Sequence, residues 1–316
     1  MDKYAPDVGL DPVRVAVGFG FLLVAAAMDW RSRVVKDAIW AALGAVALAI
    51  VELDLVLAAS PWYLHLMSAA TAILYFGVFY GEPIWDDDKG VRLRPARLLL
   101  YTTVPFLIAM TGVWSSGDSV ARGAFWRLLV MPGMIVVAHG LYYLSLLRGG
   151  ADAKAAMALG LLFPGIYPHV AGLPILAPSA RVEPLLAVWF PFAFVTIVNA
   201  ALLFVVIPLG FLAKNLADRT AKIPRAFFGY TAPIHAVPKY VWLLDRVEGG
   251  RLIARYSPRR TENEKADRAE QLRLLQGLGV KKVWVTPKLP FVTAILAGYA
   301  MAVVVGNPLL ALFGLR

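Results

Sequence analysis

Arg148-Gly149-Gly150-Ala151-Asp152-Ala153-Lys154 separates two long apolar runs, residues 128–147 and 155–176. So short a turn holds its carboxylate at a membrane boundary, where an acid is costly without a partner or a task. One other acid has the same setting: Asp29, in Ala26-Ala27-Met28-Asp29-Trp30-Arg31-Ser32-Arg33, which closes an apolar run beginning near residue 13. Taken singly, each acid reads as an ordinary helix-end residue. Taken as a pair at one depth they read differently, so the order of the spans decides.

Of the 316 residues, 59% are hydrophobic and 16% charged, against about 25% charged in a soluble domain. With a mean hydropathy of +0.67, the chain reads as a polytopic membrane protein whose partner is the lipid bilayer; no nucleic-acid partner is expected. There is no cysteine, which excludes a disulfide framework, a thiol nucleophile and a Cys-ligated zinc. The four histidines, His65, His139, His169 and His235, show no metal-ligand spacing. No metal or cofactor is expected.

Apolar runs at 13–28, 38–59, 62–81, 98–114, 128–147, 155–176, 185–212 and 289–313 predict an all-α fold with about eight transmembrane helices. The acidic start (Asp2, Asp7 and Asp11 against Lys3) does not suit a signal peptide. Glu52 and Asp54 fall at the outer end of the second run, where solvation is expected, and 115–127 reads as an outer loop. Pro164, Pro168 and Pro174 should break the sixth run. Thr196 and Asn199 suit interhelical hydrogen bonding. Residues 214–288 form a small α+β region before the last helix. In it, 240–246 and 251–256 flank Gly249-Gly250 as a hairpin, and Thr261-Glu262-Asn263-Glu264 opens a helix to about Gln276. Residues 284–290 lead into the last span, and Trp284, Lys288 and the prolines suit an interfacial anchor. The organisation is therefore a membrane core at 1–213, the soluble region 214–288 and a C-terminal transmembrane helix in 289–316.

With the N-terminus outside, 25 of the 31 Lys and Arg fall in cytoplasmic segments, as the positive-inside rule requires. Asp29 and Asp152, 123 positions apart, then reach the same cytoplasmic depth. Two adjacent carboxyl groups repel, so that one keeps its proton while the other ionises. The ionised one takes a proton from water attacking a carbonyl, and the protonated one donates. That is aspartyl-protease chemistry. Gly149 and Gly150 permit a tight turn and close approach of a substrate backbone.

Three stretches carry a resemblance to the archaeal preflagellin and prepilin peptidases, membrane aspartyl proteases of the Gly-x-Gly-Asp class. Met28-Asp29-Trp30-Arg31-Ser32-Arg33, with Asp37 and Trp40, resembles the family's first-aspartate motif. Gly149-Gly150-Ala151-Asp152-Ala153-Lys154, followed by a helix ending in Phe163-Pro164, resembles the second, with Ala151 where the family usually has glycine. Val283-Trp284-Val285-Thr286-Pro287-Lys288-Leu289-Pro290 resembles the lead into the last span. The resemblance implies catalytic Asp29 and Asp152, supported by Gly149, Gly150, Ala151, Lys154, Arg31 and Arg33. It also implies cleavage of type IV pilin-like or archaeal flagellin precursors at the cytoplasmic face of the cell membrane. The family pattern has six spans, which leaves residues 60–114 as an inserted helix pair. Bacterial relatives carry a Cys-rich insert and methylate their product; without cysteine, cleavage alone is expected.

Other readings stand beside this one. A transporter would carry ionisable residues at mid-membrane, where this chain has only His139, Thr196 and Asn199. A presenilin-like protease would show a Pro-Ala-Leu motif, which is absent. A structural subunit of a pilus or archaellum assembly platform would leave the acid pair incidental. Residues 214–288 carry sixteen basic and seven acidic side chains, which would repel a basic leader. Asp86-Asp87-Asp88 is the densest acid cluster on that face, and the expectation is that it receives the leader; the plainer reading pairs it with Lys89, Arg92 and Arg94.

Overall fold

The computed structural model describes residues 9–80, 85–86, 90–91, 95–144, 146–147, 149–256 and 264–314. Two compact units divide the chain: Met1–Ala201 with Phe291–Arg316, and Leu202–Pro290.

The first unit opens with α1 (Asp11–Ser32), which has Asp11 and a proline in its first turn and Arg31 in its last. Those charges complement the helix dipole. Arg33 ends the helix in the left-handed region at φ 59°, its N–H donating to the Asp29 carbonyl at 3.0 Å. Next come α2 (Asp37–Leu57), α3 (Trp62–Tyr80), the two-residue strands β1 (Trp85–Asp86) and β2 (Gly90–Val91), and α4 (Pro95–Ser115).

Helix α5 (Ser119–Tyr143) begins nine residues before the expected run, within what read as an outer loop, and stops four residues early. The Asp118 side chain accepts the Val120 N–H at 2.9 Å and sets that start. Helix α6 (Gly150–Leu162) is shorter than its apolar run, which continues to residue 176; Pro164 has no N–H with which to extend it. Beyond it the chain is irregular as far as α7 (Glu183–Trp189), and Pro191 separates α7 from α8 (Phe192–Phe204).

The second unit contains α9 (Val206–Ala217), then β3 (Tyr230–Pro233), β4 (Val241–Leu243), β5 (Asp245–Glu248), β6 (Arg251–Ala254), α10 (Glu264–Gly277) and β7 (Lys282–Pro287). The expected hairpin exists in part. β5 and β6 pair antiparallel around Gly249 and Gly250, both at positive φ, the conformation a two-residue hairpin turn requires. Residues 241–243, however, leave the hairpin and pair with β7. The order β3-β7-β4 makes β7 the central strand. Val283 and Val285 are fully buried against Leu275 and Leu243, while Trp284 packs with Ala226 and Leu244. Residues 283–285 are therefore the two-faced core of a strand, and the interfacial-anchor reading is corrected for Trp284. The expected helix is described over Glu264–Gly277 and ends where expected; Thr261, Glu262 and Asn263 of its capping box lie outside the described residues.

The chain returns to the first unit with α11 (Phe291–Val304) and α12 (Pro308–Leu312), so the last expected span is two helices broken at Gly306-Asn307-Pro308. α1 packs on α11, α2 and α5 pack on α6, and α3 packs on α4. Helix α6 is buried along nearly its whole length, which is why its apolar residues show no amphipathic stripe. α8 and α11 approach closely at Gly298, where a Cβ would lie 2.5 Å from the Thr196 carbonyl oxygen. The Asn199 amide donates to the Gly306 carbonyl at 2.8 Å, in the link between α11 and α12 rather than in a facing helix. Among the described residues the buried Thr196 hydroxyl has no hydrogen-bond partner, so the interhelical role expected of the two is not what the fold gives them.

At the end of this unit away from Asp152, the Arg14 guanidinium pairs with Asp54 and donates to the Leu162 carbonyl at 2.9 Å. Both side chains are buried. Asp54 is thus not solvated as expected, because Arg14, 40 positions earlier, takes the place of water; a buried carboxylate needs such a partner.

Among the described residues, four helical segments are long and apolar enough to cross a membrane: Asp11–Ser32, Asp37–Leu57, Ser119–Tyr143 and Phe192–Ala217. Thr102–Ser115 and Phe291–Val304 are apolar but shorter. The protein is mostly helical with a small α+β region near its C-terminus. Of the eight expected spans, 155–176 and 289–313 are cut by proline and glycine, and 62–81 and 98–114 are not among the four long apolar segments of the described residues.

Candidate active site

Asp152 is the third residue of α6. Gly149 caps that helix in an extended conformation, and its N–H donates to Asp152 Oδ2 at 3.1 Å. A carboxylate at this position answers the unpaired N–H groups and the positive end of the helix dipole. The close fit explains the glycine. A Cβ on residue 149 would lie 2.8 Å from Asp152 Cγ and closer still to Oδ2. Gly150 is different: a Cβ there would meet only Tyr142 Cε2, at 3.9 Å.

Asp152 is buried, only 7% exposed, among Ala153, Ala155 and Ala156. It stands at the head of α6, outside the four candidate spans. Its carboxyl is pushed up to about 7. Burial is the chief cause and the negative charge of Asp29 the second, while the Gly149 N–H opposes both. Asp29 and Asp152 therefore lie within electrostatic reach of each other.

Asp29 occupies the last turn of α1 and is half-buried. Its Oδ2 accepts the backbone N–H of Val292 at 3.2 Å, in the first turn of α11. Each acid thus sits at a helix N-terminus, Asp152 at its own and Asp29 at one 263 positions away. The Arg33 charge acts on Asp29, and its guanidinium lies 5.8 Å from the centre of the Trp30 ring. Arg31 is exposed on the last turn of α1. Lys154 Nζ reaches Asp37 Oδ1 at 2.6 Å, tying the head of α6 to the head of α2. Ala151 is half-buried between Gly150 and Asp152.

Gly149, Gly150, Ala151, Asp152 and Lys154 thus belong to the head of α6, with Asp29 in electrostatic reach of Asp152 and Arg33 in reach of Asp29. Asp86 lies in β1, and Asp87 and Asp88 are outside the described residues. The Val292 N–H went unread in the sequence, because a backbone donor has no side-chain signature. Its only signal was Pro290, which places a helix start just beyond.

Two carboxyl groups that feel each other's charge do not both ionise readily, so the pair can offer one acid and one base at once. Residues 221–307 match the family model described as Archaeal Peptidase A24 C-terminus Type II. That match is consistent with an archaeal preflagellin peptidase-like protein. The match runs from the second unit into α11 and includes Val292, the residue that holds Asp29. It supports a peptidase function of the prepilin and preflagellin type in general terms. No curated protein matches the chain.

Proposed function

We propose that this protein is a membrane aspartyl endopeptidase that removes the basic leader from type IV pilin-like precursors, archaeal flagellins among them. One observation carries the reading: the tail of α1 and the head of α6 bring Asp29 within electrostatic reach of a buried Asp152.

Asp152, with its carboxyl raised to about 7, holds a proton near neutral pH and is the general acid. Asp29, steadied by the Val292 N–H, is the ionised partner. A water between them gives a proton to Asp29 as its oxygen attacks the scissile carbonyl carbon. Asp152 donates its proton to the oxygen of the tetrahedral intermediate. The intermediate collapses as the C–N bond breaks, and a proton passes to the leaving amine. The products are a carboxylate and a free amine, and water is the only co-reactant.

The topology belongs to the same proposal. Eight helical passes with the N-terminus outside put both acids at the cytoplasmic face, and the distribution of basic residues supports that orientation. There a precursor presents the junction between its short basic segment and its apolar helix. Asp86, Asp87 and Asp88 remain proposed contacts for that segment, by charge complementarity alone.

The test is cleavage of a pilin precursor by the purified protein and by Asp152→Asn. Cleavage at the leader junction, lost in the variant, supports the reading. Undiminished cleavage by the variant removes Asp152 from the chemistry. No cleavage by either favours a transporter or a structural subunit of an assembly platform.

A further inference from the structure

The second unit carries an apolar, basic edge whose depth its own hydrogen bonds fix. α9 ends the apolar helical segment Phe192–Ala217, which has 26 residues. At 1.5 Å per residue such a helix is about 39 Å long, against roughly 30 Å of hydrocarbon. Its last turn therefore emerges among lipid headgroups.

Asn215 lies in that turn and is fully buried. Its side-chain amide lies 3.1 Å from the Ala226 carbonyl and 2.7 Å from the Gly229 carbonyl. Its backbone carbonyl accepts the Thr220 N–H at 2.9 Å. Residues 220–229 are thereby folded back against the end of α9 and held at its level. Tyr230 continues the contact, with Lys214 Nζ 5.6 Å from the ring centre.

What this loop shows to its surroundings is not what an aqueous surface selects. Ile223 is 76% exposed and Phe228 47% exposed. Phe228 meets Tyr256 edge to face at 6.4 Å. Tyr256 follows β6, on which Leu252 is exposed as well. Lys214, Arg219, Lys222 and Arg251 are exposed on the same segments. Large apolar side chains beside basic ones, at the emerging end of a membrane helix, suit an interface with anionic headgroups.

We infer that Ile223, Phe228, Leu252 and Tyr256, with Arg219, Lys222 and Arg251, form an interfacial anchor that seats the second unit on an anionic phospholipid surface. The inference rests on this unit and on the helical segment that leads into it, and stands whether or not the protein is a peptidase.

The cysteine-free chain makes the test direct. Single cysteines placed by Ile223→Cys, Phe228→Cys and Tyr256→Cys are spin-labelled in the full-length protein. The protein is reconstituted in phosphatidylcholine vesicles with and without phosphatidylglycerol. Leu274→Cys on α10 is the reference. Collision with oxygen and with a water-soluble nickel chelate reports the depth of each label. The three labels are expected about 5–10 Å deeper than the reference, at the headgroup–acyl boundary. The shift should be larger with phosphatidylglycerol and should shrink in the Lys222→Gln, Arg251→Gln background. Labels as exposed to the chelate as the reference would overturn the inference. So would labels shielded from both reagents, which would mean that a protein partner covers the edge. A depth indifferent to phosphatidylglycerol would refute the anionic preference.

Discussion

Gly149→Ala offers a sharp test of the site because the backbone there tolerates alanine. Gly149 has φ −101° and ψ 129°, ordinary extended values for any residue. The new Cβ would nonetheless stand 2.8 Å from Asp152 Cγ, where carbon atoms settle at about 3.5–4.0 Å. The carboxyl must withdraw by about 1 Å, and it loses its alignment with the Gly149 N–H as it goes. A displacement of that size at a reacting group costs on the order of a hundredfold, which is about 2.7 kcal/mol in the barrier. The fold should barely notice, since a side-chain tip moves and no backbone does. Gly150→Ala is the control, with its nearest neighbour at 3.9 Å, and should stay within about threefold of the parent by the same reasoning. The assay is the initial rate of precursor cleavage, with thermal unfolding in detergent measured alongside. An unaltered unfolding midpoint with full activity in Gly149→Ala would refute the assignment of Asp152, in this conformation, as a reacting group.

Asp29→Asn and Asp152→Asn should each abolish cleavage, and the double variant should be no worse than either, because each acid is useless alone; additive partial losses would show two independent contributions. Val292→Pro removes the N–H that reaches Asp29 from a first-turn position where proline is tolerated, so kcat should fall with KM and the unfolding midpoint nearly unchanged; unchanged kcat would mean that Asp29 needs no such support. Cleavage should decline as pH rises through about 7, where Asp152 loses its proton, and a rate still climbing at pH 9 would contradict its role as the acid. The same shift sets a sign for stability: a raised folded-state value costs nothing below the usual 3.8, costs more as pH rises, and costs most above about 7. Asp152→Asn should therefore raise the unfolding midpoint at pH 8 more than at pH 4; equal gains would mean that the charge of Asp152 is not what burial penalises.

The helix-end settings of Asp29 and Asp152 were legible because each acid lies at the edge of an apolar run. The prolines after Leu162 announced that α6 would stop short, though not how early. What escaped was mostly contact between distant positions. Asp54 read as a solvated charge at an outer end; only the fold shows that it shares one buried site with Arg14. β7 escaped for another reason. Its Val-Trp-Val sequence is apolar on both faces because both are covered, and a strand buried on both sides gives no alternation to read. Beside an apolar helix it passes for the approach to a membrane. Asp118 shows the opposite case: a local cap signal was present in a segment that read as an outer loop.

The hydrogen bond from Val292 to Asp29 also sets an order of events during synthesis. Asp29 leaves the ribosome early, and its donor arrives 263 residues later. At about 5–20 residues per second, tens of seconds pass in which the first acid is inserted and the second unit is emerging, while α11 does not yet exist. Once Asp152 has followed, a nascent chain has both aspartates but no donor to steady one of them. On the mechanism proposed above, competence to cut arrives only with the last helix, so that an incompletely made molecule is silent.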